Sequence, residues 1–106
     1  MQAGLAALSA TDDAPVLIHD AARPFLTAAH IARLLDALDG ADAALLALPV
    51  PDTLKREGAD SLVAGTEPRE GLWRAQTPQA ARLKTFRGAF AVWPAGESPT
   101  DDAAVV

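Results

Sequence analysis

The sequence predicts an α/β fold organised around one strand–helix–strand unit, and three segments support that prediction. The apolar run 16–19, which follows Pro15, is typical of a short buried parallel strand. The segment 27–38 opens with a threonine suited to capping a helix and then repeats apolar residues at helical spacing, which predicts an α-helix. The apolar run 43–48 predicts a second buried strand. Together these segments make a βαβ unit, for which a right-handed crossover is expected.

Shorter elements are predicted on both sides of this unit. Gln2 to Leu8 has the pattern of the last turns of a helix. The stretch 52–72 has few large apolar residues and contains a turn at 58–60, so we expect a hairpin-like arm outside the core. Residues 72–76 are expected to be extended.

Two helices are predicted in the last third of the chain. The pair Thr77-Pro78 is typical of a helix start and predicts a helix over about 79–90. The triplet 100–102 combines a capping threonine with two first-turn acids and predicts the start of another helix. The first of these helices has three large apolar residues on one side: Leu83, Phe86 and Phe90.

Composition limits the classes of protein that fit. A chain of 106 residues makes one small domain, and 50% hydrophobic with 22% charged residues is globular composition. The lack of cysteine excludes disulfides, thiolate zinc sites and cysteine nucleophiles. No apolar stretch approaches the roughly 20 residues of a membrane helix, and the first residues lack the basic start of a secretory signal. We therefore expect a cytoplasmic protein with no membrane partner.

The charge distribution points to a phosphorylated ligand and away from nucleic acid. The net charge of −5 disfavours a nucleic-acid backbone as partner. Residues 1–53 hold two basic and seven acidic groups, whereas residues 54–106 hold seven of each. All seven of those basic groups lie between Lys55 and Arg87, where guanidinium groups suit phosphate oxygens in charge and shape. From composition alone, a solvated mixed-charge surface is the more ordinary explanation of the same segment.

The segment 19–24 carries the strongest local chemical signal. It follows the first predicted strand, and ligands of open α/β sheets bind at the carboxyl ends of strands. Asp20 offers oxygen ligands suited to magnesium, and Arg23 offers donors suited to a phosphate. A capping aspartate beside a surface arginine is the structural alternative. His19 and His30 are expected to be structural, because neither has a cysteine or a neighbouring histidine to share a metal with.

Weaker candidates follow the second predicted strand. Thr53 and Lys55 place a hydroxyl near a cation, which suits a phosphate contact and suits ordinary turn chemistry as well. Arg69, Arg74 and Thr77 lie in or after the arm. The sequence contains no nucleophile elbow, no G-x-G-x-x-G motif and no Walker A loop.

Four segments, taken in order, resemble the 2-C-methyl-D-erythritol 4-phosphate cytidylyltransferase family over nearly the whole chain. The first and third are long, and the order and spacing of all four are specific. A further run, 91–97, resembles forms fused to 2-C-methyl-D-erythritol 2,4-cyclodiphosphate synthase. The four segments are His19–Pro24, Ala47–Lys55, Arg69–Gln79 and Thr100–Ala103.

The resemblance implies a Rossmann-like nucleotidyltransferase fold, incomplete over residues 1–106, with a protruding β-arm and a homodimer formed through that arm. It implies transfer of CMP from CTP to methylerythritol phosphate in non-mevalonate isoprenoid synthesis, with Mg²⁺ as cofactor. Asp20 and Arg23 would be catalytic, with Asp20 also at the metal, and Thr53 would bind the same substrate in the same subunit. Arg69 and Thr77 would reach the substrate across the dimer.

Departures from the family pattern set further expectations. The glycine-rich loop that holds the CTP phosphates and the last strand, with a second aspartate and a lysine, are expected to be missing. The isolated chain is therefore expected to be inactive. Glu67-Pro68 stands where the family usually has Val-Asp. Two alternatives stay open: a non-catalytic domain that binds a phosphorylated ligand or a partner chain, and another sugar-nucleotide transferase of the same fold.

Overall fold

A computed structural model describes all residues from 1 to 106 and shows helices alternating with strands. One three-stranded sheet and one separate two-stranded sheet are present. Two short 3₁₀ turns, Ala59–Ser61 and Ala103–Val105, complete the chain. No helix is long and apolar enough to cross a membrane. The main elements are α1 (Gln2–Ala7), β1 (Pro15–Ile18), α2 (Ala28–Leu38), β2 (Ala43–Pro49), β3 (Leu54–Glu57), β4 (Val63–Glu67), β5 (Trp73–Arg82) and α3 (Leu83–Val92).

The predicted strand–helix–strand unit is present, but its two strands are not neighbours. The sheet order is β1–β5–β2, and β5 runs antiparallel to both outer strands. β1 and β2 therefore point in the same direction with β5 inserted between them. The two strands of the predicted βαβ unit were expected to lie side by side. That expectation is wrong, because β5, a strand from later in the chain, lies between them.

β5 also corrects the predicted start of the last long helix. Residues 79–82 were predicted to be helical, yet they lie in the strand, and α3 begins at Leu83. Ala81 pairs with Val16 of β1 and with Ala43 of β2, so this part of β5 is bonded on both sides. Those pairings override the helix propensity of the alanines. The small side chains fit there because Ala80 and Ala81 are fully buried.

The helix α2 forms as predicted, and its first turn explains His30. The Thr27 hydroxyl oxygen accepts a hydrogen bond from the His30 backbone N–H at 3.2 Å. In return, His30 Nδ1 accepts one from the Thr27 backbone N–H at 3.3 Å. This reciprocal cap satisfies two backbone donors that the first helical turn leaves free. His30 is half-buried, and its contact with Thr27 gives it the structural role that the sequence predicted.

The apolar core lies between α1, α3 and one face of the sheet. Leu5, Leu83, Phe86 and Phe90 are buried there together with Ala81. The Phe86 and Phe90 rings are tilted at 39° with centroids 6.4 Å apart, a favourable arrangement for aromatic pairs. Only 10 of the 106 residues are buried, so the loss of one large core side chain removes a substantial part of the stabilising contacts.

The predicted arm is a two-stranded hairpin made by β3 and β4. Lys55 Nζ donates to Thr66 Oγ1 at 2.6 Å, and Arg56 Nε forms an ion pair with Glu67 at 2.6 Å. The hydrogen bond from Arg56, and then its positive charge, lower the pKa of the Glu67 carboxyl. The hairpin pairs with no other strand. The radius of gyration of 16.6 Å exceeds the roughly 13 Å of a compact domain of this length, as a projecting arm requires.

The segment 101–106 is fastened to β5 by Gln79, whose side chain is buried. The Gln79 amide oxygen accepts from the Ala103 backbone N–H at 2.7 Å, and its nitrogen donates to Asp101 at 3.2 Å. Asp101 also accepts from the Ala104 backbone N–H at 2.8 Å, so the predicted helix start is a capped 3₁₀ turn. Burial and then the nearby Asp101 raise the pKa of Asp102.

Replacing Gln79 by leucine should destabilise the chain by about 1–3 kcal/mol, because the Ala103 donor and one Asp101 oxygen lose their partner in a half-buried setting. Urea unfolding followed by circular dichroism measures this change. Gln2→Leu is the matched control, since the Gln2 amide makes one hydrogen bond to the Phe90 carbonyl, and its expected effect is at most about 1 kcal/mol. Equal effects of the two substitutions would show that the Gln79 contacts do not hold the segment in place.

Candidate active site

The loop after β1 and the residues before the middle of β5 meet at one edge of the sheet. Ile18, the last residue of β1, pairs with Gln79 in the antiparallel register. The residues that follow Ile18 therefore lie beside the residues that precede Gln79. This register brings His19, Asp20 and Arg23 to Gln76 and Thr77, although 53 or more positions separate the two segments.

The Thr77 hydroxyl is hydrogen-bonded to two consecutive residues, His19 and Asp20. The Asp20 backbone N–H donates to the Thr77 hydroxyl oxygen at 3.0 Å. The same hydroxyl lies 3.2 Å from His19 Nδ1, and His19 Nε2 lies 2.6 Å from the Arg23 carbonyl oxygen. Asp20 and Thr77 of one chain are therefore in direct contact. The subunit whose substrate each of them contacts stays a prediction.

Arg23 is held along β5 with most of its donors available. Its guanidinium donates to the Gln76 amide oxygen, and its Nε lies 3.8 Å from an Asp20 carboxylate oxygen. The Gln76 amide nitrogen donates to the Ala75 carbonyl at 3.1 Å, which sets the orientation of the amide. An ion pair this exposed contributes little to stability, so its two charges are available to a ligand.

The Asp20 carboxylate fits one ligand position of a magnesium ion. One of its oxygens accepts a hydrogen bond from the Ala22 backbone N–H at 2.9 Å, and the side chain is 50% exposed. Magnesium is bound by one or two carboxylates together with water and substrate phosphates. No group of three or more His, Cys, Asp or Glu side chains converges in the structure. Asp20 is therefore the one carboxylate of this cluster that is available to a metal ion, and phosphates and water would have to complete the coordination.

Thr53 and Arg69 lie away from this cluster, at the base of the arm. Leu45 of β2 is level with Ile18, since both pair with Gln79. β2 then continues to Pro49, roughly 13 Å further at about 3.3 Å per residue. No hydrogen bond or ion pair links Thr53 or Arg69 to the cluster. Thr53 and Asp20 therefore do not touch each other in this chain, and their meeting at one substrate stays a prediction.

Arg69 instead contacts the strand exit that carries Thr53. Its guanidinium donates to the Pro51 carbonyl oxygen, two residues before Thr53. The Val50 backbone N–H donates to the Leu72 carbonyl at 3.3 Å and closes the base of the arm. The five predicted site residues thus form two groups in one chain. The group of Asp20, Arg23 and Thr77 is called the loop cluster, and the pair of Thr53 and Arg69 is called the arm pair.

Two residues of the site were not assigned a role from the sequence. Gln76 orients Arg23, and His19 contacts both Thr77 and the Arg23 carbonyl. Both lie inside the motifs that carry the family resemblance, but a glutamine or a histidine gives no chemical signal without its neighbours. A cavity of about 350 Å³ opens beside the cluster and is lined by His19, Ala22, Arg23, Pro24, Phe25, Leu26, His30, Gln76 and Thr77.

An α/β sheet with an acid, a guanidinium and a hydroxyl at one edge, and with a projecting hairpin, suits a phosphorylated ligand. Comparison with known proteins specifies the class. The family model for 2-C-methyl-D-erythritol 4-phosphate cytidylyltransferase (IspD) matches residues 1–106. The chain belongs to this family.

The chain is 60% identical to a bifunctional enzyme IspD/IspF of Caulobacter vibrioides over 100% of its length, and it covers 28% of that protein. It is 53% identical to a 2-C-methyl-D-erythritol 4-phosphate cytidylyltransferase of Chromobacterium violaceum, with 97% of this chain and 46% of the relative covered. It therefore spans less than half of these relatives.

Solved structures support the same fold. The Thermus thermophilus 2-C-methyl-D-erythritol 4-phosphate cytidylyltransferase matches with a TM-score of 0.81 at 36% identity, covering 98% of this chain and 50% of that one. The 4-diphosphocytidyl-2C-methyl-D-erythritol synthase of Anaerococcus prevotii gives 0.86 at 30% identity over 98% of this chain and 46% of that one. The predicted fold class, a partly represented nucleotidyltransferase fold, is confirmed, and no comparison favours a non-catalytic domain.

Proposed function

We propose that this chain supplies the substrate-side half of the active site of a cytidylyltransferase that transfers CMP from CTP to 2-C-methyl-D-erythritol 4-phosphate. The register of β1 with β5 carries the proposal, because it gathers an acid, a guanidinium and a hydroxyl at one sheet edge in a chain of this family. The product would be 4-diphosphocytidyl-2-C-methyl-D-erythritol, an intermediate of non-mevalonate isoprenoid biosynthesis.

The reaction forms a bond between a phosphate oxygen of methylerythritol phosphate and the α-phosphorus of CTP. The bond from that phosphorus to the bridging oxygen breaks, and pyrophosphate leaves. Such a transfer depends on in-line positioning and on neutralising the charge that develops on the phosphates. Arg23 is suited to this work, since its guanidinium keeps donors free while Gln76 and Asp20 hold it in place.

Asp20 would hold a magnesium ion, which when bound would neutralise phosphate charge and align the triphosphate. The exposed carboxylate supports this assignment, because it keeps lone pairs free beside Arg23. The Ala22 N–H fixes the direction of the carboxylate before any ligand arrives, and Thr77 fixes the backbone of the same residue. Residues of this chain thus present a preformed oxygen ligand.

The arm pair would serve the active site of a second subunit in a homodimer. The arm projects from the domain and carries exposed apolar side chains near its tip, Leu62 at 68% and Val63 at 66% exposure, which suit burial against a partner. Arg69 and Thr53 lie together at its base, remote from the loop cluster of their own chain. The family resemblance supplies the placement across the dimer for Arg69, and the position of Thr53 beside the Arg69–Pro51 contact extends it to Thr53. We also propose a cytoplasmic location, which suits a cysteine-free enzyme supplied with CTP.

A chimera tests the function directly. Residues 1–106 replace the matching region of the Chromobacterium violaceum relative, which supplies the flanking segments. We expect pyrophosphate release that requires CTP, methylerythritol phosphate and a divalent cation. Asp20→Asn in the chimera should lower kcat/KM by at least about a hundredfold. The matched control is Asp60→Asn at the arm turn, which should leave kcat/KM unchanged.

Two outcomes would contradict the proposal. A folded, dimeric chimera without CTP-dependent turnover would show that this segment does not support the activity. A full rate with Asp20→Asn would remove Asp20 from the reaction.

A further inference from the structure

His19 occupies the centre of the loop cluster without a role in the proposed chemistry. Its imidazole uses both nitrogens: Nε2 lies 2.6 Å from the Arg23 carbonyl oxygen, and Nδ1 lies 3.2 Å from the Thr77 hydroxyl. His19 therefore links the loop that carries Asp20 and Arg23 to the strand that carries Thr77. Arg23 also links the loop to β5, but it does so through Gln76 and not through Thr77.

The donors and acceptors of this cluster can be assigned. A backbone carbonyl can only accept, so His19 Nε2 must carry the hydrogen. In an imidazole with one proton, Nδ1 is then an acceptor, and the Thr77 hydroxyl donates its only hydrogen to it. The Thr77 oxygen already accepts from the Asp20 backbone N–H. One lone pair of that oxygen remains for a ligand.

We propose, on the basis of the proposed function, that His19 is a positioning residue that orients the Thr77 hydroxyl so that Thr77 meets the substrate as a hydrogen-bond acceptor. The partner it suits is a substrate hydroxyl group, because a phosphate oxygen has no hydrogen to donate. Arg23, which has free donors, is left to contact phosphate. Methylerythritol phosphate offers both groups, so the two side chains divide its recognition.

Three elements surround the imidazole, and two of them carry charged or titratable groups. Asp20 and Arg23 lie on the same loop, and His30 from α2 lines the same cavity. The facing strand β5 offers only the neutral Gln76 and Thr77. Two groups therefore set the orientation of the Thr77 hydroxyl: the Asp20 backbone N–H donates to its oxygen, and His19 Nδ1 is the group that takes its hydrogen.

A double-mutant cycle in the chimera tests the positioning role. The end of the side chain in His19→Gln lies where Nε2 lies, so this variant keeps the Arg23 contact and loses the Thr77 contact. His19→Asn keeps an acceptor at the Nδ1 position and preserves the Thr77 contact. We expect His19→Gln to lower kcat/KM about tenfold, His19→Asn to retain most activity, and His19→Gln to add little to Thr77→Val. Asp60→Asn at the arm turn is again the control, with an expected change below about twofold.

Additive effects of His19→Gln and Thr77→Val, or equal losses in the glutamine and asparagine variants, would overturn the inference. A second measurement does not depend on activity. Nitrogen NMR of the histidines of the chain in mildly alkaline buffer should show His19 with its hydrogen on Nε2. A hydrogen on Nδ1 would overturn the inference while leaving the proposed function in place. An inactive chimera whose His19 carries the hydrogen on Nε2 would refute the function and the positioning role that depends on it.

Discussion

An equal mixture of Asp20→Asn and Arg69→Ala chimeric subunits should recover activity towards about half the unmodified value per heterodimer, although each variant alone is nearly inactive. The reason is geometric. If the arm acts across the dimer, one site of the heterodimer carries both lesions and the other carries neither. Losing a charge-assisted hydrogen bond to phosphate lowers the rate of each homodimer roughly ten- to a hundredfold, so recovery is large against that background.

The two threonines make this experiment specific to the arrangement seen in the structure. Thr53→Val should behave like Arg69→Ala, because both residues lie at the base of the arm, and mixing it with Asp20→Asn should restore activity. Thr77→Val should not complement Asp20→Asn, because Thr77 contacts Asp20 in the same chain and every site of the heterodimer is then damaged. The measurement is steady-state turnover after subunit exchange, with heterodimer content determined from two affinity tags.

The reverse pattern would contradict the grouping. Recovery with Thr77→Val and none with Thr53→Val would return these residues to the assignment that the family resemblance suggested. No recovery with either arm variant, in samples that contain heterodimers, would place the arm in its own subunit.

The elements that the sequence predicted well are those whose signal is local. α2 has a capping threonine and a regular apolar stripe, and it runs from Ala28 to Leu38 as predicted. The arm has few large apolar residues and contains a turn, and it is a separate hairpin. These features depend on residues within a few positions of one another, so one segment is enough to indicate them.

The elements that were predicted wrongly depend on contacts between distant segments. Residues 79–82 have helix-forming alanines, yet β1 and β2 both pair with them and make them the middle strand. No local pattern reveals a pairing partner 60 positions away. The same insertion separates β1 from β2 and carries Thr53 away from Asp20. It also brings Thr77 to Asp20, so the order of the strands decides which site residues touch within one chain.

Replacing Phe86 by alanine should destabilise the chain by about 3–5 kcal/mol, the largest effect expected of any single core substitution. The Phe86 side chain is fully buried and contacts Phe90 in a core that holds few large residues. α3 is attached to the sheet through this core, directly after the strand that carries Thr77 and Gln79. A small domain has a total stability of about 5–15 kcal/mol, so most of its folding free energy would be removed.

Phe25→Ala is the matched control, since the Phe25 side chain is 89% exposed. The same chemical deletion there should change the unfolding free energy by no more than about 0.5 kcal/mol. Urea unfolding of both variants, followed by circular dichroism and tryptophan fluorescence, gives the comparison. Phe86→Leu, which keeps part of the apolar volume, should fall between the unmodified chain and the alanine variant. Equal midpoints for Phe86→Ala and Phe25→Ala would mean that the α1–α3–sheet core does not hold the chain together, and the placement of β5 and its site residues would lose its support.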